Sequence, residues 1–121
     1  MEHEEKEMII SKWFNSWLSK NSLDFEGIFS EEVIYIESWG PRYEGIEEIK
    51  DWFEAWNQTH QVLVWKIKQF FHKENQTVVE WYFKCQHADQ TIEEFDGLSL
   101  ISWTDDEQIR FLKEFACKIG I

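Results

Sequence analysis

Glu114 and Ser99 are the residues whose types and setting most directly suggest chemistry. Alternating apolar and polar residues over 91–104 and 108–116 predict two strands joined near Asp105 and Asp106, and pairing across that turn sets Ser99 beside Glu114. A carboxylate enclosed by tryptophan and phenylalanine rings loses hydration, which raises its pKa and suits it to exchange a proton near neutrality. Ser99 would then orient the substrate. The structural alternative for Glu114 is an ion pair with a cation such as Arg42. Arg42 itself, between Pro41 and Tyr43, fits either a clamp on a ligand carboxylate or stacking on an exposed ring. Glu37 stands beside Trp39 at a strand end, where alternation turns Ile34, Ile36 and Ser38 inward and leaves Val33, Tyr35 and Glu37 outward. Asp96, just before Gly97, reads as a turn-stabilising carboxylate.

Other motifs carry less. A hairpin turning at Asn75 would bring His60 near His87, but two histidines without a third ligand do not make a zinc site, so no metal is expected. Gly97-Leu98-Ser99-Leu100-Ile101 is half of a nucleophile elbow, without the second glycine or the following helix. Cys85 and Cys117 are too few and too far apart for a disulfide framework, and Cys85, on the apolar side of its strand, reads as an inert reduced thiol.

The elements that must position these residues follow from periodicity. Met8, Ile9, Trp13, Phe14, Trp17 and Leu18 recur at helical spacing, predicting a first helix from about Glu4 to Ser19 with acidic residues at its positive end. Ser22 is placed to cap a short second helix carrying Leu23, Phe25, Ile28 and Phe29, and a strand follows over 33–38. The stretch 40–45, with the single proline, reads as a turn-rich connection. Ile46, Ile49, Trp52, Phe53 and Trp56 then mark a third helix ending near Thr59.

Beyond it the period is two, over 61–73, 77–88, 91–104 and 108–116. Val79, Trp81, Phe83 and Cys85 share one side with Leu63, Trp65 and Ile67 of the preceding strand, while Phe70 and Tyr82 fall on the other. Ile101 belongs to the inward set of its strand. Gly97 inside a strand suggests a bulge and a sharp bend. Helices followed by a meander predict an α+β domain, 1–121, in which three N-terminal helices pack on a strongly curved antiparallel or mixed sheet forming a cone.

Composition narrows the function. With 24 acidic against 12 basic residues the net charge is -12, and no basic cluster offsets it, so neither nucleic acid nor an anionic membrane surface is an expected partner. No apolar run reaches the length of a membrane helix, the first residues do not resemble a signal peptide, and a cytoplasmic setting is expected. The chain also holds 8 tryptophans. Parity aims Trp13, Trp17, Trp52, Trp56, Trp65 and Trp81 at one interior, where bulky rings either fill the cone or line a pocket for a flat or apolar molecule. Each buried indole N–H needs an acceptor, a role open to Ser99, Glu114 or Asn15.

Four motifs in this order resemble the nuclear-transport-factor-2-like superfamily and, within it, the SnoaL-like group. They are the 25–33 lead into the first strand, Tyr43-Glu44-Gly45-Ile46 entering the third helix, Phe95-Asp96-Gly97-Leu98-Ser99, and Ile109 to Phe115 as the last strand. The resemblance implies the cone and, at Glu114, a glutamate often seen in the last strand. It does not carry over ketosteroid-isomerase chemistry: the base position reads Ser38, the oxyanion-hole aspartate aligns with Ser99, and the helix-one tyrosine with Trp13 or Phe14. The histidine and aspartate set of scytalone-dehydratase-like members also has no counterpart.

The expected function is therefore an aromatic pocket binding a small apolar or aromatic molecule. It would be lined by Trp13, Trp17, Trp52, Trp56, Trp65, Trp81, Phe83, Ile101 and Arg42. The alternatives are a cofactor-free isomerase, lyase or cyclase using Glu114 with Ser99, and a structural subunit with a filled cone. A homodimer through the outer sheet face is expected, and no cofactor.

Overall fold

The computed structural model describes residues 3–120. Helix α1 spans Glu4–Ser19 and buries Ile10, Trp13, Phe14 and Trp17, one face at helical spacing. It ends where Lys20 turns left-handed and Asn21 N–H reaches the Ser16 carbonyl at 3.0 Å. Helix α2 is a single turn, Phe25–Ile28. The expected Ser22 cap does not form there. The turn begins after Asp24, Leu23 is left 83% exposed, and Phe29 already opens strand β1, Phe29–Ile36.

The 40–45 connection is more ordered than its composition suggests. Strand β2, Arg42–Glu44, pairs antiparallel with β1, and the Glu37 N–H closes the hairpin onto the Pro41 carbonyl at 2.9 Å. Gly45, at φ 85°, then turns the chain into α3, Ile46–Thr59, while its own N–H bonds the Val33 carbonyl at 2.7 Å. Four long strands follow: β3 His60–Lys73, β4 Gln76–His87, β5 Ile92–Trp103 and β6 Ile109–Lys118.

They form one six-stranded sheet in the order β2-β1-β6-β5-β4-β3. Only the β1–β6 pair is parallel, so the sheet is mixed. The helices cover its concave face. There Trp13 lies fully buried against Phe25, Phe29, Tyr35 and Trp17, with ring centroids 4.9–5.5 Å apart.

Three strand readings differ from the sequence expectation. In β1 it is Val33, Tyr35 and Glu37 that are buried, and Ile34 and Ile36 that are half-buried on the other face. Both sets are apolar enough to point inward; the parallel register with β6, Tyr35 opposite the fully buried Leu112, selects between them. In β3, register shifts between Val62 and Val64 and between Ile67 and Gln69 break the period twice. The inward set therefore becomes Val62, Trp65, Ile67 and Phe70 instead of Leu63, Trp65 and Ile67 with Phe70 outward.

Gly97 is the third case. The ladder runs through it without a shift, Trp81 opposite Gly97 opposite Ala116, so there is no bulge at this glycine. Its missing side chain makes room instead, since a Cβ there would overlap the Trp81 indole.

Candidate functional site

The wide end of the cone holds a cavity of about 230 Å³. Its walls are Trp17 from α1, Trp52 and Trp56 from α3, Trp65 from β3, Trp81 and Phe83 from β4, Phe95 from β5, and Trp39 from the β1–β2 turn. Strand and helix parity bring these rings together, and second rings hold them in place. Phe14 stacks on Trp65 at 4.0 Å, Tyr43 on Trp52 at 4.6 Å and His60 on Trp56 at 4.6 Å. Trp39, 61% exposed, leans on Phe95 at 5.3 Å beside the opening.

Two carboxylates, Glu114 and Glu37, enter this aromatic space from neighbouring strands. Glu114 accepts a hydrogen bond from the Tyr35 hydroxyl, which in turn accepts the Trp13 indole N–H at 3.3 Å. Burial pushes the Glu114 carboxyl up to about 8, with the nearby Glu37 charge adding to the rise and the Tyr35 and Ser38 donors opposing it. Its value exceeds an ordinary carboxyl because enclosure by protein outweighs two hydrogen bonds.

Glu37 is 9% exposed, and burial raises its carboxyl as well, against donors from Tyr43, at 2.8 Å, and Trp39. Tyr35 is raised well above its usual value, first by burial and then by Glu114, and stays a neutral donor. Among the described residues neither Glu37 nor Glu114 has a lysine or arginine partner within ion-pair distance. The pair is therefore largely buried with neutral donors, two phenols, an indole and the Ser38 backbone N–H, where one proton can move between a ligand and a carboxylate.

The sequence-derived residues divide in their placement. Glu114, Trp17, Trp52, Trp56, Trp65, Trp81 and Phe83 border the cavity. Trp13 and Ile101 lie behind it, both fully buried in the core. Arg42 is on the outside of the hairpin, its Nε 3.0 Å from Glu44 Oε2, and touches neither the cavity nor Glu114. Ser99 does sit opposite Glu114 in the β5–β6 register, but its hydroxyl accepts the Trp81 indole N–H at 2.9 Å and it does not line the cavity. Glu37 was hidden from sequence reading by the inverted face of β1. The signal that pointed to it was its place beside Trp39 in the turn.

At one side of the opening His60 faces His87 in register, rings 4.5 Å apart, as the hairpin predicts. The two histidines gain no shared third donor; a different trio, Cys85, His87 and Glu93, without His60, brings ligand atoms within 4.8 Å of one another. Glu93 is already engaged, by His87 at 2.6 Å and Lys118 at 3.0 Å, and burial pushes the Cys85 thiol up to about 11, away from thiolate. The described residues contain no helix long and apolar enough to cross a membrane.

Over residues 10–111 the sequence matches the SnoaL-like domain. No curated protein sequence matches the chain. Solved structures share its fold at low identity. A Bacillus subtilis protein named as a candidate isomerase superposes with a TM-score of 0.84 at 15% identity, over 97% of this chain and 89% of its own. An LEH-like epoxide hydrolase of M. tuberculosis gives 0.80 at 11%, over 93% and 83%. A Catenulispora acidiphila protein of ketosteroid-isomerase-like fold, in complex with trimethylamine, gives 0.79 at 16%, over 88% and 83%.

Proposed function

The chain belongs to the SnoaL-like domain family of the nuclear-transport-factor-2-like superfamily, and on that premise we propose that residues 1–121 act as one small-molecule-binding domain. Its aromatic cone takes a small, largely apolar molecule whose polar end meets Glu114 and Glu37. The observation that carries this reading is the cavity walled by indoles with three carboxylates on it, of which Glu37 and Glu114 have no cationic partner among the described residues. At about 230 Å³ it is smaller than the roughly 300–1,000 Å³ of drug-sized sites, so the occupant has few non-hydrogen atoms.

The test is titration of small aromatic, alicyclic and alkylammonium compounds, read by tryptophan fluorescence and thermal shift. Saturable quenching with a raised melting temperature, weakened by Trp56→Ala, is the expected result. A flat response to the whole set overturns the reading.

Proton transfer is favoured as a second reading by the Glu114 carboxyl standing at about 8, which lets it both give and take a proton near neutral pH. The cofactor-free isomerase, lyase or cyclase that this implies would rest on Glu114 with Glu37, since Ser99 and Arg42 lie off the cavity. A second copy of the chain across the outer sheet face belongs to the same proposal. Phe71, Leu98 and Phe115 stand 54%, 41% and 49% exposed there, opposite the helix-covered face.

A further inference from the structure

Three carboxylates border the cavity and no lysine or arginine does. Glu93 already has Lys118 and His87. Glu37 and Glu114 have no such partner among the described residues; their donors are neutral, Tyr43 and Trp39 for the first, Tyr35 and the Ser38 backbone for the second. Buried carboxylates without a counter-charge are costly, and a cation arriving in the cavity would recover part of that cost.

The rings point the same way. A tryptophan face carries negative electrostatic potential and attracts a cation within about 6 Å, most strongly where water is excluded. Here the indoles meet edge to face, at 87° between Trp17 and Trp56 and at 87° between Trp65 and Trp81, and all four line the cavity. Trp52, Trp56 and Trp65 each have one face taken by a stacked ring, of Tyr43, His60 and Phe14, and each of the three indoles borders the cavity. At the scale of the whole molecule, a net charge of -12 raises the local concentration of cations and lowers that of anions.

We propose that the occupant of this site is a small alkylated ammonium ion, its methyl groups against the tryptophan faces and its charge against Glu37 and Glu114. This rests on the cavity being a ligand site and names the ligand's class. An alkylated ammonium is the ligand that uses both features: a methylated surface suits the indoles, and a diffuse charge loses less hydration on entry than a bare ammonium. A neutral hydrocarbon uses only the first, and a carboxylate-bearing ligand meets no lysine or arginine on the cavity wall.

The experiment compares choline with its neutral isostere, in which carbon replaces nitrogen, and with indole, by calorimetry and tryptophan fluorescence on the wild-type chain. Choline binding about tenfold tighter than the isostere supports the proposal. In Glu37→Gln/Glu114→Gln that preference should disappear while isostere binding is kept. If the double variant does not fold, each single variant should reduce the preference. Equal binding of the isostere overturns the cation and leaves the cavity reading standing, as does binding of indole alone. Failure of all three probes overturns both.

Discussion

Glu114 is the residue on which a measurement on the free protein bears most directly. Its carboxyl is raised from 4.5 in the unfolded chain to about 8 in the native one. Between those values the native state keeps a proton that the unfolded state has released. The resulting contribution to stability is therefore fully present below about 4.5, falls as pH rises, and is flat above about 8. Glu37 shifts in the same direction and reinforces the trend. Glutamine at 114 has no proton to lose. The melting temperature of Glu114→Gln relative to wild type should therefore rise between pH ~5 and pH ~8.5, by roughly 15 °C. Taking the difference cancels the many other carboxylates. A difference independent of pH would mean that Glu114 is ionised in the native state, and the proton-transfer reading would lose its basis.

At the scale of elements, β3 and β5 carry the departures that shape the site. The two register shifts in β3 keep Val62, Trp65, Ile67 and Phe70 inward along a strand whose alternation they break twice. The elements themselves were legible: α1 and the end of α3 match their expected limits, and the four long strands lie within a residue or two of theirs. Bulges were not legible, because an extra residue in a strand is specified by its neighbour's hydrogen bonds and leaves no local mark. Gly97 shows the same limit, since a glycine that makes room for an indole and one that forms a bulge read alike. Gly97→Ala should push the Trp81 indole toward the cavity and strain its bond to Ser99. The expected cost is about 1–3 kcal/mol by urea denaturation, with weaker ligand binding. An unchanged denaturation midpoint would mean that Trp81 has space to move.

For the whole molecule, the question is what the outer face of the sheet does. Leu98 and Phe115 are opposite one another on β5 and β6 and both stand exposed, with Phe71 on the same face at the sheet's far edge. Sedimentation should give a dimer for wild type and a monomer for Leu98→Lys combined with Phe115→Glu, with the indole fluorescence of the cone unchanged. A wild-type monomer would leave this face simply solvated. The net charge of -12 is spread over helix N-termini and exposed strand positions, but three carboxylates face inward, and the acidity is thus partly a property of the cavity.

Local pattern was enough to place the helices and hairpins and to aim six indoles at one interior, because periods of 3.6 and 2 are written in consecutive residues. It was enough, too, to set Ser99 opposite Glu114 and His60 opposite His87, since a hairpin's register follows from its turn. The choice of inward face in β1 came from elsewhere. There Ile34 and Ile36 compete on equal terms with Val33 and Tyr35, and only pairing with β6, far along the chain, decides between them. That single non-local choice carries Glu37 into the cavity beside Glu114 and so turns a lone buried carboxylate into a pair.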